Sequence, residues 1–290
     1  MNDAAAFQKL GIIGTGRVAL ALGGLMAPHS AAPVSAWGRT RAHCEALLRQ
    51  IGSAEESSSM GELAQNCDCI MIAVADDALA EVVAQLQAVF PARSSTLVLH
   101  VSGRSGVAVL SALEQGGAMT AAIHPVMTFT GETQADKQNV RGAHFAITAS
   151  SPPAMDRAKE LVCLLDGIAV EIAEEDRSLY HAALSHAANH LVTLIAQASR
   201  MLESAGIHEP RPLLAPLVRA ALENSLSQGF SALSGPLLRG DRQTIAGHLS
   251  ALKEEGPEIR AAYYALALST LDELERAGKP VSAELRQLLE

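Results

Sequence analysis

The sequence predicts an α/β protein: a doubly wound, mostly parallel sheet in the N-terminal half, followed by an all-helical C-terminal half. Three observations carry this. Short apolar runs alternate with helical patterns through residues 1–150, the rhythm of a parallel sheet covered on both faces. A glycine-rich turn joins the first apolar run to the first helical pattern. After a Ser-Ser-Pro-Pro break at 150–153 the pattern is nearly all helical, and proline is tolerated at a helix start.

Taken in order, Lys9–Gly14 reads as a strand and Arg17–Met26 as a helix. Pro33–Trp37 is a second strand and Arg41–Ile51 a second helix, with a short helical piece at Glu62–Gln65. Cys69–Val74 is an unbroken apolar run, as a strand buried on both faces should be. Helix follows over Ala78–Phe90, strand over Thr96–Val101, helix over Val107–Glu114, and strands over Ala121–Pro125 and Gly142–Thr148. Beyond the break, helices are predicted over Pro152–Leu165, Glu174–Ala205, Leu213–Ser227, Arg242–Leu252 and Glu258–Ala277. The expected division is therefore 1–150 and 151–290, with no internal repeat or low-complexity linker.

Composition narrows the function. Of 290 residues, 49% are hydrophobic but only 3% aromatic, so the core is largely Ala and Leu, which suits close-packed helices. The net charge of −9 without a basic run opposes binding to phosphate backbones, so no nucleic-acid partner is expected. Met1–Leu10 has no signal-peptide pattern, and no uninterrupted apolar stretch is long enough for a membrane span. Four cysteines, Cys44, Cys67, Cys69 and Cys163, show no disulfide framework, which fits reduced thiols in the cytoplasm. Cys67-Asp68-Cys69 lacks the second ligand pair that a structural zinc site needs, so no metal is expected.

The segment Gly11-Ile12-Ile13-Gly14-Thr15-Gly16-Arg17-Val18-Ala19 carries the most information. It has the G-x-G-x-x-A form of the dinucleotide fingerprint, after an apolar strand and at the opening of a helix. Gly14 permits the tight turn, Gly16 lets the backbone approach a pyrophosphate, and Ala19 keeps the helix close to the sheet. The free N–H groups of the helix start, around Thr15, Arg17 and Val18, then face the phosphates. A Rossmann domain is the reading. After the second strand, an NAD site usually has an acid for the ribose 2′-hydroxyl. Here Arg39, Thr40 and Arg41 stand instead, and a guanidinium pairs well with a 2′-phosphate. The predicted cofactor is NADP(H). Ala75 and Asp76, at the carboxyl end of the Cys69–Val74 strand, should border it; Asp76 or Asp77 reads as the cap of the next helix.

These residues, with His100-Val101-Ser102-Gly103, His124-Pro125, Tyr180–Leu191 and Ser234–Asp241, resemble the bacterial Rossmann-like oxidoreductases whose C-terminal half is a domain of unknown function, the DUF2520 type. That group is related to pyrroline-5-carboxylate reductase, the β-hydroxyacid dehydrogenases and deazaflavin-dependent NADP reductases. The resemblance implies a helical C-terminal domain like that of 6-phosphogluconate dehydrogenase and a homodimer through it. It does not imply a substrate.

Three places offer chemistry for hydride transfer to a carbonyl or imine, which needs a proton source or a donor near the developing charge. Ser102 follows a strand end, where its hydroxyl can meet the nicotinamide amide or the substrate. His124 ends another strand; it is either a proton donor or a buried ring that holds a loop. The long helix carries His181, Ser185, Asn189 and Thr193 at four-residue spacing, one polar stripe that faces a cleft or an interhelical network. By the resemblance, Asn189 matches an asparagine of the β-hydroxyacid dehydrogenases, while Ser185 stands where they have a lysine. That departure moves the proton-donor role to His181 or His124. His186 and His190 are also four apart but lack an H-E-x-x-H motif and read as packing residues. Arg239, in the Ser234–Asp241 turn, is either an anion anchor or part of a rigid turn, and Asp241 reads as a helix N-cap. The function expected is an NADP(H)-dependent oxidoreductase acting on a small carbonyl or imine compound; the alternative is a non-catalytic NADP(H)-binding or redox-sensing protein.

Overall fold

A computed structural model describes residues 5–91 and 96–290; Met1–Ala4, at the start of the segment read for a signal peptide, lie outside the described residues. The chain divides into two compact units, Met1–His186 and Ala187–Glu290.

The first unit alternates strand and helix: β1 (Leu10–Ile13), α1 (Arg17–Met26), β2 (Val34–Trp37), α2 (Arg41–Ile51), β3 (Ala54–Glu56), α3 (Met60–Asn66), β4 (Cys69–Ile72), α4 (Leu79–Gln87), β5 (Leu97–His100), α5 (Ser111–Gln115), β6 (Met119–Pro125), α6 (Thr133–Val140), β7 (His144–Ala149), α7 (Pro152–Leu164) and β8 (Ile168–Glu171). The strands form one sheet in the order β3-β2-β1-β4-β5-β6-β7-β8. Every neighbouring pair is parallel except β6 and β7, where His124 faces Ala146 and Ala122 faces Thr148. Order and polarity are those of a doubly wound fold, with the switch point between β1 and β4.

The apolar residues explain the two faces. One core combines Leu10, Ile12 and Met71 of the sheet with Leu22 of α1, Leu47 of α2 and Leu161 of α7. The other joins Ile13, Ile70 and Val98 to Leu63 of α3, Val83 of α4 and Leu113 of α5. Alternate residues of one strand thus serve opposite faces. Each fully buried aliphatic side chain contributes about 1.5–3 kcal/mol. Cys67 and Cys69 belong to opposite faces, and burial pushes both thiols up from their ordinary range.

Several boundaries differ from the sequence reading. The break at 149–153 is the passage from β7 into α7, whose N-cap Ser151 accepts the Ala154 N–H; sheet structure continues to β8 and the first compact unit to His186. β8 was not expected because its four residues are all exposed and its pattern shows no buried face. The three-residue β3 is likewise a short, polar edge strand, and short edges resist unwanted pairing. Neither Asp76 nor Asp77 caps α4, whose N-cap is Ala78 without a side-chain bond; this corrects the capping expectation.

α8 (Arg177–Ser204) begins in the first unit and supplies the start of the second. The second unit continues with α9 (Pro210–Gln228), α10 (Pro236–Arg239), α11 (Arg242–Ala251), α12 (Pro257–Arg276) and α13 (Ala283–Leu289). Its core joins Ile245 and Leu249 of α11, Leu271 and Leu274 of α12, and Leu285 and Leu289 of α13. Asp241 is the N-cap of α11, accepting from the Thr244 N–H at 3.0 Å and its hydroxyl at 2.7 Å, as its place before the helix predicts. No helix among the described residues is long and apolar enough to cross a membrane.

Candidate functional site

The turn from β1 into α1 is fixed by its glycines. Gly14 has φ +118°, and a Cβ there would sit 2.1 Å from the Ala73 carbonyl oxygen, so both conformation and space require glycine. A Cβ on Gly16 would meet nothing within 4 Å; its surface opens into a cavity. Ala19 is fully buried against the sheet. Each glycine and the alanine therefore stands as the fingerprint requires.

The cavity has a volume of about 720 Å³, within the range of small-molecule and cofactor sites. Its lining includes Gly14, Gly16, Arg17 and Val18 with Thr15 between them, Arg39 and Thr40 after β2, and Ala75 after β4. It lies at the carboxyl ends of β1, β2 and β4, where open α/β sheets bind ligands. Two expectations change in detail. Asp77 lines the cavity rather than Asp76, which sits 3.8 Å from Arg104 as an ion pair. Arg41 pairs with Glu45 and Glu56 at 3.1 and 3.7 Å and does not line the cavity. His43, which sequence reasoning missed, does; it stands four residues after Arg39, and this spacing on a helix start was the available signal. Arg17 donates from Nη1 to the Phe129 carbonyl at 3.2 Å. The Asp136 carboxylate accepts the Thr130 and Gly131 N–H groups, both at 2.9 Å, and so orders that loop.

Val101 lines the cavity, and the chain from there leads to a cluster of rings. His100 is fully buried. The Ser102 N–H donates to its Nδ1 at 3.2 Å, so its Nε2–H donates to the Gly106 carbonyl at 2.9 Å. Burial pushes its pKa down to about 4, and the ring is a neutral strut of the 100–106 loop. Ser102 is also buried; its hydroxyl oxygen accepts the Ser105 N–H at 3.2 Å. Glu174 accepts the N–H groups of Val107 and Ala108 at 2.7 and 3.2 Å and ties this loop to the turn before α8.

His124 and His181 come together: their ring centroids are 6.3 Å apart, edge to face. A Cβ on Gly103 would lie 2.8 Å from His124 Nε2 and 2.7 Å from His181 Cδ2. A 2.7 Å hydrogen bond joins His124 Nδ1 to the Tyr180 hydroxyl. Burial, then the Arg177 charge, push the His124 pKa down to about 4, and burial pushes Tyr180 up to about 12. At neutral pH the pair is an uncharged imidazole bonded to an intact phenol. Tyr180 was missed as a site residue, although it adjoins His181. The remaining stripe residues are spread along α8: Ser185 is half-buried, whereas Asn189 falls in the second unit and is exposed there. The Thr193 hydroxyl donates to the Asn189 carbonyl at 3.4 Å.

Residues 3–125 match the family model of the Rossmann-like domain, and residues 143–270 match the domain of unknown function DUF2520. No curated protein matches the sequence. Among solved structures, the chain is similar to a candidate NADP oxidoreductase from Bacteroides fragilis, with 21% identity and a TM-score of 0.74, over 91% of this chain and 97% of that one. A reductive aminase from Aspergillus terreus in complex with NADPH and ethyl levulinate has 17% identity and a TM-score of 0.67, over 97% and 98%. An imine reductase variant from Myxococcus stipitatus in complex with NAD+ has 18% identity and a TM-score of 0.63, over 98% and 99%. At these identities the likeness is one of fold.

Proposed function

We propose that this chain, in which a Rossmann-like domain is joined to a DUF2520 domain, is an oxidoreductase that uses NADP(H) to transfer a hydride to or from a small carbonyl or imine compound. The observation that carries this reading is the phosphate turn: Gly14 admits no side chain, while Gly16 opens onto the cavity. The N–H groups of the α1 start and Arg17 suit a pyrophosphate, and Arg39 and Thr40 suit a 2′-phosphate. The cofactor, when bound, supplies the hydride. The chain's part is to hold it and to provide a proton, for which the His124–His181 cluster is the best placed group. Fold neighbours that act on imines or carry out reductive amination, by their names, favour a carbonyl or imine substrate.

The test is NADPH oxidation with a panel of keto acids, aldehydes with amines, and cyclic imines. Turnover with one class identifies the substrate type. Tight NADPH binding without turnover on the whole panel would favour the non-catalytic binding or sensing role. Four free thiols are compatible with a reducing, cytoplasmic setting.

The partner we propose is a second copy of the chain, through α8 and α9. Among the described residues of α9 only Pro210 is buried, and Leu213, Leu217 and Leu226 are 56%, 68% and 75% exposed. A helix of 19 residues normally takes its stability from a packed apolar face. Residues of α8 and α9, Leu217 among them, also flank an apolar groove of about 940 Å³, so each copy offers exposed leucines at 213 and 226 as well as a groove, as a twofold interface requires.

A further inference from the structure

Arg177 is the largest fully buried side chain among the described residues, 1% exposed, and no described carboxylate pairs with it. Nε donates to the Thr148 hydroxyl at 2.8 Å, and one terminal nitrogen donates to the Ala122 and Ala146 carbonyls at 3.0 and 3.1 Å. The other, Nη1, has no described partner. A buried cation without a bonded carboxylate is costly, so its retention calls for a reason. Its guanidinium carbon lies 6.0 Å from the centroid of the Tyr180 ring, and Tyr180 is bonded to His124.

We propose that Arg177, Tyr180 and His124 form a proton relay, in which Tyr180 and Arg177 are positioning residues behind His124. The Tyr180 hydroxyl donates to Nδ1, which fixes His124 as the neutral Nε2–H tautomer. That N–H faces the empty side-chain position of Gly103. The inference rests on the oxidoreductase reading for its substrate and on the geometry above for its parts. When bound NADPH supplies the hydride, the nitrogen or oxygen of the substrate being reduced would take the proton from Nε2. The Tyr180 hydroxyl proton passes to Nδ1, so the ring stays neutral and the negative charge rests on the Tyr180 oxygen. Arg177 is the counter-charge waiting for it, and solvent later returns the proton. The pairing explains both a buried cation with no bonded carboxylate among the described residues and a phenol bonded to a ring that is neutral at physiological pH.

Other charged or titratable groups face this cluster. Asp76 favours the charged form of His124, while His181 and His100 oppose it; Glu174 faces Arg177. The test therefore reads His124 directly. In the full chain with 15N-labelled histidine, the His124 signals are assigned by their loss in His124→Gln. The expected result at neutral pH is an Nε2–H tautomer, lost to a mixture in Tyr180→Phe. Arg177→Met should raise the His124 titration midpoint by about one unit or more, since a nearby cation disfavours protonation. Arg177→Lys keeps the charge and should stay near wild type, which covers the case in which the methionine variant fails to fold. An Nδ1–H tautomer in the wild type, or the same tautomer in Tyr180→Phe, overturns the relay. So does an unchanged midpoint in folded Arg177→Met. Once a substrate is known, Tyr180→Phe should lower kcat about tenfold or more with KM nearly unchanged. Absence of turnover in the wild type would count against the oxidoreductase reading alone, because the tautomer and midpoint are read without it.

Discussion

Acidification should destabilise the protein through two identifiable rings. His100 and His124 titrate in the native state at about 4, against an ordinary 6.5, mainly because burial opposes their charged forms. A native pKa held below the unfolded one means that unfolding takes up protons between those values. Stability therefore rises with pH across that window, is fully present above about 6.5, and is lost as pH falls toward 4. Near pH 5 an unfolded ring is almost wholly protonated and the native ring almost wholly neutral. Integrating from near pH 7, each ring withdraws about 2 kcal/mol. The sum barely depends on where below pH 5 the native ring titrates. Urea unfolding of wild type, His100→Gln and His124→Gln at the two pH values isolates each share, because other groups cancel in the comparison. Each variant should lose about 2 kcal/mol less than wild type between pH 7 and pH 5, whatever its starting stability. Identical losses in wild type and His124→Gln would refute a buried neutral imidazole at this site.

Three further outcomes follow from the geometry. Gly14→Ala forces a side chain into the Ala73 carbonyl at φ +118°, a strain of about 1–3 kcal/mol before the contact is counted; thermal unfolding should shift down and NADPH binding should be lost, and wild-type affinity would contradict the role of the turn. Gly103→Ala places a Cβ 2.7–2.8 Å from the two histidine rings; turnover should fall while NADPH affinity measured by fluorescence holds. Leu217→Glu puts a charge on the apolar face of α9, at a residue 68% exposed in the single chain that lines the groove; sedimentation should show monomers where wild type sediments as a dimer, and an unchanged mass would remove α9 from the interface.

Much of the fold was readable because local chemistry and tertiary demand agree. Gly11–Ala19 declares a strand, a turn and a helix within nine residues, and the structure forms each of the three where the sequence places it. The same holds for Asp241 as an N-cap. The edges were not readable: β3 and β8 are short and expose most of their side chains, so hydrophobic alternation has nothing to report. Which aspartate lines the cavity also escaped sequence, because Asp76 answers to Arg104, distant in the chain. His124 and His181 were both visible as candidates, yet their proximity depends on how α8 starts beside the end of β6. Arg177 left no signal at all. A single charge at a helix start reads as solvated, and its burial depends on carbonyls of β6 and β7 that no side-chain pattern reveals.

Under the proposed function, the cavity beside the Gly14–Gly16 turn holds NADP(H) and Arg39 reads its 2′-phosphate. Titrating the full-length protein with NADPH and with NADH, by nicotinamide fluorescence and calorimetry, tests it most directly. NADPH should bind well below about 1 mM and more tightly than NADH. Arg39→Asp should narrow the preference by about tenfold or more, the worth of one charge-assisted hydrogen bond. No binding of either nucleotide, or a preference that Arg39→Asp leaves intact, would contradict it.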